Sequence, residues 1–228
     1  MRPKAVLSWS SGKDSALALH VLRQRGEVEV VGLVTTYTEV FDRVAMHGVR
    51  TELVAAQARA AALPLWRIPL PWPCPNAVYE EQIKSVLQRA RAEHVDCFAF
   101  GDLFLEDIRA YREKQLADSG LQPLFPVWGL PSDTPALART MLASGIRAVL
   151  TCVDPCQLDP AFVGRQFDEQ TLVELPAGVD PCGERGEFHT FCYAAPCFDR
   201  PIPIRVGQTV ERDNFWFADV LPAEGGLA

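Results

Sequence analysis

The chain has 228 residues, 48% of them hydrophobic, enough to bury a sizeable core, and contains no apolar run of membrane-spanning length. Its 22 Lys and Arg against 29 Asp and Glu leave a net charge of −7. That balance argues against a nucleic-acid partner, because phosphate neutralisation supplies much of such affinity. Seven cysteines are an odd number for a fully paired disulfide framework and read as reduced, mostly buried thiols. The start, Met1-Arg2-Pro3-Lys4, lacks the apolar stretch of an export signal, so a cytoplasmic location is the expectation.

Ala5-Val6-Leu7 predicts a buried first strand, and Ala16 to Arg25 a helix that stops at Gly26. The β-branched run Val28 to Thr36 reads as a strand buried on both faces. Residues 52–62 form a helix, and Leu65 to Leu70 is a short strand entering a Pro-rich turn. Asn76 is placed to cap a helix through Glu93. Cys97 to Phe100 is the fourth strand, closed by Gly101-Asp102. A helix over Glu106 to Ala117 and an extended Leu124 to Trp128 complete this half.

Strands alternating with helices imply an α/β fold with a parallel, doubly covered sheet of five strands. Past Gly129 the rhythm changes. Thr134 to Ser144 suggests a helix, Ile146 to Cys152 a strand, and Pro160 to Phe167 a short helical stretch. From Phe188 onward, Pro-interrupted extended runs (Tyr193 to Phe198, Ile202 to Val210, Asn214 to Leu221) suggest hairpins or edge strands. The expected organisation is a nucleotide-binding domain over 1–129 and a smaller α+β domain over 130–228. The last residues, Glu224 to Ala228, read as a frayed end.

Between the first strand and first helix lies Ser8-Trp9-Ser10-Ser11-Gly12-Lys13-Asp14-Ser15. A strand, a small-residue turn and a helix N-terminus form a geometry in which backbone N–H groups hold phosphate. Ser10, Ser11 and Ser15 add hydroxyls, Lys13 a cation, and Asp14 an acceptor that orients donors or a metal. It is not a Walker-type loop, whose glycines are spaced differently. The competing reading is an ordinary Ser/Gly turn. Two further polar clusters, Thr35-Thr36 and Gly101-Asp102, fall at strand ends, where such sheets bind ligands. Met46-His47 follows the second strand and is a candidate for the nucleotide base or simply a loop.

A second dense cluster is Cys182-Gly183-Glu184-Arg185-Gly186-Glu187-Phe188-His189-Thr190-Phe191. Its glycines permit close approach or positive φ, and its carboxylates suit an amine-bearing substrate or Mg²⁺ with its waters. A Gly-rich hairpin turn with solvated acids is the alternative. His189 beside it is a further candidate for substrate contact. Arg109 and Arg112 are candidates for clamping a phosphate, against a charged surface helix.

Ser10-Ser11-Gly12-Lys13-Asp14-Ser15 resembles the Ser-Gly-Gly-x-Asp-Ser signature of the PP-loop ATP pyrophosphatases, with serine in place of the first glycine. Together with Gly101-Asp102, Pro126-Val127-Trp128-Gly129 and Gly183-Glu184-x-Gly186-Glu187-Phe188-x-Thr190, it resembles the diphthine–ammonia ligase family over roughly residues 4–198. Phe188 stands where that family carries tyrosine, and Arg109 and Arg112 match its arginine-rich segment loosely. The resemblance implies a HUP/Rossmann-like first domain that binds ATP through Ser10, Ser11, Gly12, Lys13, Asp14, Ser15, Thr35, Met46, His47, Gly101 and Asp102. It implies a substrate face of Gly183, Glu184, Gly186, Glu187 and Thr190, catalytic roles for Lys13, Asp14, Glu184 and Glu187, and Mg²⁺ on Asp14 and Asp102.

The implied reaction adenylates a small-molecule or protein-borne carboxylate, releases pyrophosphate, and passes the acyl group to ammonia with release of AMP. Ammonia is expected from solution or from a partner, and a homodimer is compatible with this reading. The Ala-, Arg-, Leu- and Pro-rich usage points to a bacterial paralogue acting on a different carboxyl substrate. The alternatives are a sulfur transferase acting on tRNA, an adenine-nucleotide α-hydrolase without an acceptor, and a non-catalytic adenine-nucleotide sensor.

Overall fold

A computed structural model describes residues 1–129 and 131–223; the expected frayed end at 224–228 lies outside the described residues. The chain begins β1 (Lys4–Ser8), α1 (Lys13–Arg25), β2 (Glu29–Thr38), β3 (Arg43–Val44), α2 (Thr51–Ala60) and β4 (Leu65–Leu70). It continues through α3 (Asn76–Ala92), β5 (Cys97–Ala99), α4 (Glu106–Leu116) and β6 (Gln122–Leu124).

These strands make one mixed sheet. β4, β2, β1, β5 and β6 run parallel, as alternating strands and helices require, and the two-residue β3 pairs antiparallel to the far end of β2. The sheet therefore has six strands rather than the five expected. A two-residue strand carries no periodicity that a sequence could betray.

β1 is buried on both faces, and successive side chains point to opposite sides. Val6 packs with Val34, Trp66, Ile83, Leu87 and Phe98 beneath α3, whereas Leu7 joins Leu19, Leu33 and Leu53 under α1 and α2. This second cluster runs on without a break into Val149, Phe167, Phe188 and Phe191 of the C-terminal half.

That half comprises α5 (Thr134–Ala143), β7 (Arg147–Val153), β8 (Gln166–Phe167), α6 (Glu169–Glu174), β9 (Phe188–Ala194), β10 (Ile204–Arg212) and β11 (Phe215–Pro222). All its pairings are antiparallel: β7 joins β8, β9 and β11, and β11 joins β10. The helical stretch expected over 160–167 is a single 3-10 turn at Pro160–Phe162 followed by β8. The strand expected over 193–198 lies earlier, at Phe188–Ala194, because the chain turns before Pro196. None of the described helices is long and apolar enough to cross a membrane.

Local signals set the elements that carry the site. α1 starts at Lys13, three residues before the expected start, with Gly12 as its N-cap, and ends on Gly26 at φ 63°. Lys13, Asp14 and Ser15 thus form its first turn. β2 extends to Thr38, so Thr35 and Thr36 lie within the strand. Pro75 is the N-cap of α3, and Asn76 is its first residue, bonded to Glu80.

Candidate active site

The loop from Ser10 to Gly12 is folded by its own small residues. Ser10 and Ser15 hydroxyls lie 2.7 Å apart, and the Gly12 N–H donates to Ser10 Oγ at 3.3 Å. Ser11 adopts φ 74° and is fully buried. Its carbonyl accepts from the Cys192 N–H at 2.9 Å and from Gln57 Nε2 at 2.9 Å. Gln57 also donates to the Cys192 carbonyl and accepts from Trp9 Nε1 at 2.8 Å. One buried amide thus joins α2 and β9 to the loop that follows β1.

Lys13 is 2% exposed and points away from bulk water. Its ammonium donates to both carboxylate oxygens of Asp14 at 3.0 Å and to the Cys182 carbonyl, with the rings of Phe167 and Phe188 at 5.5 Å. Burial alone would lower the Lys13 pKa, but Asp14, Cys182 and Glu184 hold it above its ordinary value, so the ammonium stays charged. Burial pushes the Asp14 carboxyl up more than Lys13 pulls it down. The loop N–H groups are not all open: that of Lys13 donates to Thr190 Oγ1 at 3.2 Å, and that of Gly12 is taken by Ser10.

The second motif closes over the first. Asp180 accepts from the Cys182 and Glu184 N–H groups, and Glu187 accepts from those of Asp180 and Arg185 at 2.9 and 3.0 Å. These bonds shape a tight turn in which Gly183 sits at φ 67°; a Cβ there would lie 2.7 Å from the Phe188 carbonyl. Glu184 faces inward and accepts from the Leu103 N–H at 2.7 Å. Burial, then the charge of Asp14, raises its pKa to about 8. Glu187, 2% exposed, is turned into its own loop.

The two motifs line one cavity of about 510 Å³. Ser10, Lys13, Asp14, Ser15, Thr35, Met46, His47, Gly101, Asp102, Gly183, Glu184 and Thr190 face it, as do His189 and Arg112. Ser11, Gly12, Gly186 and Glu187 stand outside it: the first two support the floor, and Glu187 braces the turn. Arg109 instead packs over Phe125 and Trp128 and pairs with Glu113.

His47 and His189 stack with ring centroids 4.7 Å apart, and His47 Nδ1 donates to the Thr190 carbonyl at 3.0 Å. Burial lowers their pKa values to about 4 and about 3, so both imidazoles are neutral near pH 7. Gln57 and Trp9 carried no sequence signal as supports, since they act through partners distant in the chain, and Asp180 lies just ahead of the motif whose turn it shapes.

Asp102 Oδ2 and Arg112 Nε lie 3.6 Å apart, and each is buried without a hydrogen-bond partner, as are Ser11 Oγ and Thr35 Oγ1. Buried polar atoms normally find partners, so these are unmet demands at the cavity and the loop beneath it. No group of three or more His, Cys, Asp or Glu is arranged to hold a metal by itself among the described residues. Asp14 and Asp102 still fit Mg²⁺, which commonly takes one or two carboxylates and completes its shell with water and phosphate oxygens.

The profile of the diphthamide synthase N-terminal domain matches residues 3–123, and that of the diphthamide synthase C-terminal domain matches residues 133–221. The chain belongs to the diphthamide synthase family. Among curated relatives, a diphthine–ammonia ligase from Danio rerio is 34% identical over 146 residues, covering 61% of this chain and 56% of the relative. One from Bos taurus is 29% identical over 178 residues, covering 72% and 66%. The chain thus spans little more than half the length of the first and about two thirds of the second. A solved U34-tRNA thiolase from Methanococcus maripaludis shares 17% identity at a TM-score of 0.38, covering 62% of this chain and 56% of that one.

Proposed function

We propose that this member of the family is an ATP-dependent ligase that adenylates a carboxylate and transfers the acyl group to ammonia. One observation carries the reading: the phosphate-type loop and the acidic Gly-Glu motif, some 170 residues apart in sequence, line the same cavity. The first domain, over 1–129, takes the nucleotide, and the part from 130 onward presents the acyl substrate. The parallel strand order of a HUP/Rossmann-like sheet, with its helix N-terminus at the cavity, supports this division.

In this scheme a carboxylate oxygen attacks the α-phosphorus of ATP, and the α–β bridging bond breaks with its electron pair leaving on pyrophosphate. Ammonia then attacks the acyl carbon, AMP departs, and the proton lost from nitrogen passes to Glu184. Glu184 takes that proton in its ionised form, which gains population as pH rises toward its pKa of about 8. The first turn of α1, Ser10, Ser15 and Arg112 hold phosphate oxygens, and the neutral His47 and His189 form a wall without repelling a cation. Mg²⁺, where bound by Asp14 and Asp102, supplies charge neutralisation on the phosphates. The same reading has the protein act in the cytoplasm.

Thiol chemistry has less support. Burial raises the Cys152 pKa to about 12 and pushes Cys182 and Cys192 up as well, which keeps these sulfurs protonated and poor as persulfide carriers. Product analysis tests the proposal. With ammonium and a panel of carboxylates, the ligase must convert ATP to AMP and pyrophosphate, and release of ADP and phosphate would overturn it.

A further inference from the structure

A second cavity, about 360 Å³, lies where the turn after β2 meets the β10–β11 hairpin. Its walls are chiefly apolar and aromatic: Phe41, Met46, Trp72, Val210, Phe215 and Phe217. Phe41 and Trp72 pack edge to face at 5.8 Å, and Phe215 lies 6.5 Å from Phe217. Several of these side chains remain open to solvent, Trp72 at 53% and Met46 at 55%. Aromatic rings left uncovered around a concavity of this size mark a binding site more often than a packing defect.

The cavity adjoins the first. Val44, Ala45 and Met46 line both, so only this short segment stands between an occupant of one and the other. The two differ in chemistry. The first gathers Lys13, Asp14, Asp102, Arg112 and Glu184, whereas the second has four charged lining residues whose signs balance. Among these, Asp219 is bonded to Arg43 at 2.9 Å and held by Arg50 through Nε and Nη2 at 3.0 and 2.7 Å. Arg212 lies over the Phe41 ring at 4.8 Å. A site whose fixed charges balance and whose walls are chiefly aromatic suits an apolar body.

Resting on the ligase reading, we propose that the second cavity seats the body of the acyl substrate. The substrate is then a small acid with a neutral aryl or branched apolar group, its carboxylate passing Val44–Met46 into the first cavity. Met46, at φ 60°, and Ala45 form the threshold. This assigns the aromatic wall to acid selection and leaves ATP to the polar cavity.

The test uses the full chain and three probes: 4-phenylbutyrate, 3-phenylpropionate and acetate, titrated calorimetrically in the presence of a non-hydrolysable ATP analogue. The arylalkyl acids are expected to bind at least about tenfold tighter than acetate. Phe215→Ala, which opens the wall, and Val210→Trp, which fills the cavity from an exposed strand position, should each erase that preference while leaving affinity for the ATP analogue unchanged. Two variants of opposite sense guard against one that misfolds.

Equal affinity for acetate and the arylalkyl acids, or a preference that survives both variants, overturns the assignment. So does absence of acid binding with the aromatic wall buried in a dimer, seen by light scattering and by Val210→Trp dispersing it. Failure of the two proposals is separable. Selective acid binding without AMP formation leaves the cavity assigned and removes the ligase reading. AMP formation as efficient with acetate as with the aryl acids keeps the ligase and removes this inference.

Discussion

The backbone N–H of Lys13 donates to the hydroxyl of Thr190 at 3.2 Å, tying the first turn of α1 to β9 across 177 positions of sequence. The first N–H groups of any helix lack intrahelical partners. Here one is met by a side chain from the opposite sheet rather than left for a ligand, and Thr190 is 2% exposed. Thr190→Val keeps the shape and removes the acceptor, stranding a buried donor. A loss of about 1–3 kcal/mol in thermal or denaturant unfolding is expected, with a raised KM for ATP. Thr190→Ser should restore both. Unchanged unfolding and KM in the valine variant would show that the contact holds nothing together.

Lys13 is buried against Asp14, whose side chain is 24% exposed, and that burial predicts how the pair fails. Removing one partner leaves an uncompensated charge, whereas removing both leaves none. Lys13→Met is therefore expected to cost about 3 kcal/mol of stability, more than the double variant Lys13→Met/Asp14→Asn. All of these variants should lose turnover. A double variant as unstable as the sum of its singles would show that the two side chains act independently.

Much of this site was legible in the sequence, and the illegible part has a common cause. Ser10, Lys13, Asp14, Gly101 and Glu184 announced themselves because loop chemistry depends on residue type and local spacing. Glu184 and Glu187 looked equivalent, since each follows a glycine. Only the turn pinned by Asp180 decides that one enters the cavity and the other braces the loop. Gln57 gave no signal at all: its three buried hydrogen bonds reach Trp9, Ser11 and Cys192, and nothing local in a helix-forming stretch encodes them. β3 and β8, at two residues each, were too short for any pattern.

Glu184 also predicts a pH dependence. Its pKa rises from the ordinary 4.5 to about 8 in the folded protein, so the folded state binds its proton more tightly than the unfolded one. Its contribution to stability is complete below about 4.5 and is lost as pH rises through about 8. His47 and His189 act in the opposite sense: with folded values of about 4 and about 3 against 6.5, they cost stability as pH falls below 6.5. The two effects separate above that value, where the histidines are neutral in both states. Melting temperatures between pH 6.5 and 8.5 should decline less steeply in Glu184→Gln, which keeps an acceptor for the Leu103 N–H. Parallel curves for the variant and the parent would show that Glu184 titrates normally.

Gly101 offers the sharpest steric test. It follows β5 at the cavity floor, where its Cα faces the first turn of α1. A Cβ built there would lie 3.1 Å from the Asp14 carbonyl carbon and from the Ser15 nitrogen. Both are backbone atoms of a helix N-terminus held by Thr190 and Ser10, so neither can swing aside as a flexible side chain would. Gly101→Ala must push the end of β5 and α1 apart, an overpacking cost of about 1–3 kcal/mol. Because Asp14, Ser15 and Asp102 flank this contact, the same displacement should weaken ATP binding. Gly145→Ala serves as the control for the added methyl: no atom lies within 4 Å of a Cβ there, and its φ of 95° strains the backbone at a residue that does not line the cavity. Calorimetric ATP affinity should therefore fall in Gly101→Ala and hold in Gly145→Ala, even if both melt earlier. Equal ATP affinity in the two variants would show that β5 and α1 can part without disturbing the nucleotide site.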